Sequence, residues 1–177
     1  MVWKLGQAAG MEWLQSMGER GPQAVIRQLH TLRGGVTDTS TLIYLERLEL
    51  LPLALGVFDL FLIPLVIAEY GGRPEGAIPV SASGTGPTDE LICRTAQALA
   101  QPVLSEDRQV LRHACRLDLN SYNTLMLVLA LCAQQRLPMA SFPRHRQRLC
   151  TFAWYSAKVL AVGDAVYRDL MAQTSRR

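Results

Sequence analysis

From residue 36 onward, short apolar runs alternate with helix-periodic segments. Val36 and Thr37 end a short strand, and Asp38-Thr39-Ser40 can cap a helix running through Leu42, Leu45 and Leu48. Residues 58–63 form a compact apolar strand, after which Pro64 opens a helix through Val66 and Tyr70. Residues 71–87 are rich in Gly, Pro and Ser and read mostly as loop, with 77–80 as a candidate strand. A helix is predicted over 88–100 and a strand over 102–104, and Ser105-Glu106-Asp107 opens the next helix. Tyr122 marks another short strand. Residues 124–135 form an apolar helix covered on most sides, and 142–170 read as helical throughout. Strands this short alternating with helices predict a parallel sheet covered on both faces.

Residues 1–34 read differently, as a helical extension ahead of a domain over 35–177. Trp3, Ala9, Trp13, Leu14 and Met17 share one side of a first helix. Gly21-Pro22 breaks the chain, and a second helix places Val25, Ile26, Leu29 and Leu32 on one face, ending at Gly34-Gly35. Only Val36 and Thr37 then precede Asp38, so the first strand reads as short.

Composition narrows the class. With 49% hydrophobic and 19% charged residues the chain can bury a core, which excludes wholesale disorder. A formal charge of +3 tolerates a nucleic-acid partner without demanding one. Cys93, Cys115, Cys132 and Cys150 form no CxxC pair, so buried free thiols and a reducing cytoplasm are expected. The apolar stretch 48–68 has the length of a membrane span, but Glu49, Pro52, Asp59 and Pro64 interrupt it. Lys4, Gln7, Glu12 and Gln15 likewise interrupt any signal-peptide core. A soluble protein with no membrane partner is expected.

The acids carry the chemistry. Asp38 and Asp107 fall at the C-terminal ends of two predicted strands, Glu69 in the helix after another, and Asp89 in the first turn of the helix feeding the strand before Asp107. Ligands of open parallel sheets bind outside the carboxyl ends of the strands. Each acid taken alone is explained by helix capping. Four together would repel, by about 4 kcal/mol per pair at roughly 4 Å and an effective dielectric near 20, and so call for a cation. Hard oxygen donors select Mg²⁺ or Mn²⁺. Such ions can orient and deprotonate a water and stabilise a departing 3′-oxygen, which is the chemistry of phosphodiester cleavage.

Four segments carry a resemblance: Asp38-Thr39-Ser40-Thr41-Leu42-Ile43; Ile63-Pro64-Leu65-Val66-Ile67-Ala68-Glu69; Asp89-Glu90-Leu91-Ile92 with Ala96 and Ala98; and Leu104-Ser105-Glu106-Asp107-Arg108. In this order, over roughly 35–170, the chain resembles the PIN domains, closest to a bacterial and archaeal branch. That family is similar in fold to FEN-like nucleases and includes ribonuclease toxins of the VapC type. The resemblance implies a three-layer α/β fold with a short parallel sheet flanked by helices. It implies a Mg²⁺- or Mn²⁺-dependent endoribonuclease whose metal ligands and catalytic groups are Asp38, Glu69, Asp89 and Asp107. Ser40 and Ser105 would orient them through hydrogen bonds. It also implies an RNA substrate and admits a homodimer or an antitoxin-like protein partner. The rival readings are a catalytically silent PIN-like module binding RNA or protein, and the toxin half of a toxin–antitoxin pair.

Other features add little. Arg144, Arg146 and Arg148 with His145, near Phe142, Phe152 and Trp154, are a candidate nucleic-acid contact, but a solvated helix face with its aromatics in the core is the preferred reading. Gly84-Thr85-Gly86-Pro87 lacks the Lys-Ser/Thr of a phosphate loop. His30, His113 and His145 have no Ser or Cys nucleophile in a recognisable elbow.

Overall fold

The computed structural model describes residues 21–174. The first predicted helix, with Trp3 and Trp13, lies outside the described residues. The elements in order are α1 (Gly21–Thr31), β1 (Gly34–Thr37), α2 (Thr39–Arg47), α3 (Leu51–Val57), β2 (Asp59–Leu62), α4 (Pro64–Tyr70) and β3 (Ile78–Pro79). These are followed by α5 (Thr88–Ala98), β4 (Val103–Leu104), α6 (Arg108–Arg116), β5 (Ser121–Tyr122), α7 (Thr124–Ala133), a 3₁₀ turn (Met139–Ser141), α8 (Phe142–Leu149) and α9 (Ala157–Thr174). The fold is α/β, built on a parallel sheet flanked by helices. The chain divides into two compact units, one holding residues 33–124 and the other combining 21–32 with 125–174.

The first unit contains the whole sheet, in the order β3-β2-β1-β4-β5, with every pairing parallel. The chain steps outward from β1 through β2 to β3, then returns to place β4 on the other side of β1. Parallel crossovers are right-handed, so reversing the direction of travel puts the helices before and after the return on opposite faces. The switch point lies between β1 and β4. There a crevice opens at the carboxyl ends of the strands.

β1 is short but regular, and it is the central strand, with all four residues buried. The two glycines that made it look weak explain its position. A Cβ on Gly34 would lie 2.1 Å from the Asp59 carbonyl oxygen of β2, and one on Gly35 would lie 2.6 Å from the Pro102 carbonyl oxygen beside β4. Neighbouring backbones therefore approach closer than any side chain allows, so glycine is needed for contact and not for flexibility. Val36 pairs with Phe61 on one side and Val103 on the other.

Residues 48–68 form no membrane span. They divide into α3, β2 and most of α4, and no helix among the described residues is long and apolar enough to cross a membrane.

In the second unit α7 is buried along its whole length. The Gln134 side chain donates to the Leu29 and Leu32 carbonyls at 2.9 Å each, capping the C-terminal end of α1. The region read as helical throughout, 142–170, is broken between two helices. α8 ends at Leu149, and Ser156 Oγ accepts the Val159 amide to start α9. The interruption has no Gly or Pro to announce it. Tight turns carry it: the Thr151 amide bonds to Arg148, and those of Phe152 and Ala153 bond to Leu149.

Candidate functional site

The register of β1 and β4 decides what meets at the switch point. Thr37 pairs with Leu104, so the next residues, Asp38 and Ser105, leave the sheet side by side. The Asp38 amide donates to the Leu104 carbonyl at 2.9 Å, extending the ladder by one bond. Ser105 is fully buried there, and its hydroxyl donates to Asp38 Oδ2 at 2.9 Å. Ser40, in the first turn of α2, donates to the same oxygen at 2.7 Å. Each hydroxyl also accepts an amide from the following loop: Ser105 Oγ that of Asp107 at 3.0 Å, and Ser40 Oγ that of Glu106 at 3.3 Å. The two serines thus fix Asp38 against the Glu106–Asp107 backbone.

Capping accounts for one of these acids and not the other. Asp107 precedes α6, and its Oδ1 accepts the Gln109 amide at 2.6 Å and the Val110 amide at 3.4 Å, a helix cap in full. Asp38 holds the corresponding place before α2 but makes no side-chain capping bond. Burial pushes its carboxyl above the ordinary range against the lowering effect of Ser40, Ser105 and the Thr39 backbone, and the charge of Asp107 adds to the rise.

The other two acids reach the same place from helices. Glu69 lies in the last turn of α4, where its Oε2 accepts the Thr39 hydroxyl at 2.8 Å. Asp89 lies in the first turn of α5. Partial burial first, then the charges of Asp107, Asp38 and Glu69, raise its carboxyl, while His113 works in the opposite sense. Asp89 therefore feels all three of the other acids.

Together Asp38, Ser40, Glu69, Asp89 and Asp107 line an open cleft of about 430 Å³ with Tyr44, Thr88 and Glu106. Sequence reading did not pick out these last three, nor Thr39. Glu106 sits between two chosen residues, and its Oε1 accepts the Thr124 amide that begins α7. Thr39 is legible only as part of the Asp-Thr-Ser turn. Its bond to Glu69 spans 30 residues and depends on α2 packing beside α4. Ser105 does not line the cleft and acts from beneath it. Among the described residues, no group of three or more His, Cys, Asp or Glu side chains is arranged to hold a metal ion. The acids share a cleft without closing on one point.

The other candidates lie apart. Arg144, Arg146 and Arg148 are on α8 in the second unit, where Arg146 is committed to Asp164 at distances of 2.6 and 2.8 Å. That unit holds a larger cleft of about 810 Å³ lined by His30, Cys132, Gln134, Arg136 and Leu170 among others, but its lining includes no carboxylate. Of these two clefts the acid-lined one is the smaller, and of the two it is the one lined by carboxylates. The cysteines are all free, but only Cys93 and Cys132 are buried; Cys115 is half-buried and Cys150 exposed. Burial pushes the Cys93 thiol up to about 12 and that of Cys132 up to about 11, which removes both as nucleophiles near neutral pH.

No family model, curated protein or solved structure matches this chain.

Proposed function

We propose that this protein is a Mg²⁺- or Mn²⁺-dependent endoribonuclease that hydrolyses RNA phosphodiester bonds in the acid-lined cleft. The observation that carries this reading is the convergence of Asp38, Glu69, Asp89 and Asp107, drawn from four separate elements, on one cleft at the switch point of the sheet. The donors fit a hard divalent cation in kind, since all are carboxylate oxygens. They line one cleft without closing on one point. Asp38, Glu69, Asp89 and Asp107 would hold the ion, which when bound supplies charge neutralisation at the phosphate and activation of water.

The chain's own groups do the positioning. Ser40 and Ser105 lock one Asp38 oxygen, Thr39 fixes Glu69, and the α6 cap fixes Asp107. Burial raises the affinity of Asp38 and Asp89 for protons, and a bound cation would favour their ionised forms.

The test is RNA cleavage with Mg²⁺ or Mn²⁺, with EDTA, and in Asp38→Asn and Asp107→Asn. Cleavage should stop in EDTA and fall at least about a thousandfold in each variant. Full activity in EDTA or in either variant overturns the reading. The open arrangement of the acids favours one alternative, a catalytically silent PIN-like module that binds RNA or protein. Mn²⁺ titration followed by electron paramagnetic resonance separates the two, because the silent module takes up no ion in the cleft.

A further inference from the structure

We infer that the connector between α8 and α9 is a stacking platform for single-stranded nucleic acid, with Trp154 under a base and Arg144 and Arg148 on the phosphates. Trp154 is 90% exposed, the most exposed of the large apolar side chains among the described residues. Sequence reading placed the aromatics of this region in the core. Phe142 is there, stacked on Tyr167 at 4.7 Å, but Trp154 is not. The α8–α9 pair explains why. The Phe142–Tyr167 stack and the Arg146–Asp164 ion pair run the two helices antiparallel, so residues 150–156 form the tip of a hairpin and Trp154 sits on that tip.

Charge selects the occupant. Residues 142–158 contain Arg144, Arg146, Arg148 and Lys158 but no Asp or Glu. Arg146 pairs with Asp164, an acid from outside this segment. Arg144 and Arg148 are four residues apart, hence on one face of α8, while Phe142, His145 and Leu149 fill the buried face. The helix runs directly into the tip. A single large ring beside a basic helix face suits a polyanion with π-faces, because stacking is available to every base and phosphate contact is electrostatic. A membrane would require a continuous apolar face. Here Phe152 and Tyr155 are half-buried, and the exposed neighbours Thr151, Ser156 and Lys158 are polar. The inference stands whether or not the acid-lined cleft cleaves RNA.

The experiment is fluorescence anisotropy with an end-labelled oligouridylate of about 12 nucleotides, in EDTA so that no cleavage intervenes. Trp154→Ala should weaken binding about tenfold and Trp154→Phe should recover most of it, since the smaller ring still stacks. Arg144→Ala with Arg148→Ala should also flatten the dependence of log affinity on log salt, by about 0.7 for each phosphate that is no longer neutralised. Binding should quench tryptophan emission in the wild type and not in Trp154→Phe. Trp154→Ala binding within about twofold of wild type overturns the platform. Equal affinity for a duplex, or binding to anionic vesicles without binding to the oligouridylate, overturns it as well.

Discussion

The two sides of the acid-lined cleft are built by different means. Asp38 and Asp107 follow adjacent strands, and a network of serine hydroxyls and backbone amides ties both to the carboxyl edge of the sheet. Glu69 and Asp89 come from opposite ends of two helices, the last turn of α4 and the first turn of α5. Glu69 is anchored by the Thr39 hydroxyl, while the surroundings of Asp89 are dominated by like charge. One side is set by strand register, which a one-residue slip would destroy. The other depends on where helices pack, which tolerates small shifts. If a cation is held here, the sheet side supplies the fixed ligands and the helix side the adjustable ones.

The most disruptive way to break this contrast is to move the sheet edge itself. Gly34→Ala places a Cβ against the Asp59 backbone, which cannot rotate away, so β1 and β2 must separate. The expected cost is more than about 3 kcal/mol, read as a shift in urea midpoint, with any cleavage activity falling alongside stability. Retention of wild-type stability would show that register does not depend on this approach.

A gentler comparison sets one orienting hydroxyl against another. Ser105→Ala leaves a buried Asp38 oxygen short of one donor and the Asp107 amide short of its acceptor, at a cost of about 1–3 kcal/mol. Activity should fall about 10- to 100-fold. Thr39→Val removes the one hydroxyl on Glu69, at the more adjustable side, and should cost activity less than Ser105→Ala. Equal losses would mean that the helix side is held as firmly as the sheet side.

Smaller still is the effect of neutralising Asp89. Its carboxyl is raised in the folded protein, so the fold favours the protonated form, and that contribution is present at low pH and lost as pH rises through the folded value. Near neutral pH the ionised Asp89 therefore works against stability. Asp89→Asn should melt higher than wild type in EDTA, by about 1–2 °C given the solvent exposure of the site. The difference should vanish at pH values below the ordinary carboxylate range, where wild type is protonated too. The variant should also lose part of any stabilisation that Mn²⁺ gives the wild type. A variant that melts lower in EDTA would mark Asp89 as a support for the start of α5.

The sheet side was legible because strand ends and helix starts carry local signals. Asp38-Thr39-Ser40 and Ser105-Glu106-Asp107 each join a strand to a helix within three residues, so their acids could be placed before any tertiary contact was known. The sheet order was not legible, because strands of two residues such as β3, β4 and β5 carry almost no periodicity. The Thr39–Glu69 bond was hidden for the same reason: it follows from helix packing, to which spacing gives no clue. The break between α8 and α9 was missed because Phe152, Ala153 and Tyr155 continue an apolar rhythm through the turn, and Trp154 was drawn into the core with them. A run of aromatics looks alike whether it faces inward or out.

The helices carrying the two adjustable acids end in the same way but with different residues. After α4, the Gly71 and Gly72 amides return to Ala68 and Ile67, and Gly71 takes φ 87°. After α5, the Ala100 and Gln101 amides return to Gln97 and Ala96, and Ala100 takes φ 50°. Both are Schellman closures, in which a left-handed residue lets the chain leave the helix with its last carbonyls satisfied. Glycine holds that conformation freely, whereas a Cβ is strained there by about 1–2 kcal/mol. Against this stands the extra unfolded-state entropy of glycine, about 0.5–1 kcal/mol. Ala100→Gly should therefore stabilise the protein by a few tenths to about 1 kcal/mol, raising the melting temperature by up to about 4 °C. Ala100 is exposed and does not line the cleft, so cleavage should be unchanged, which makes the variant a control separating stability from the site. A lower melting temperature would show that α5 gains more from rigidity at its exit than it loses to strain there.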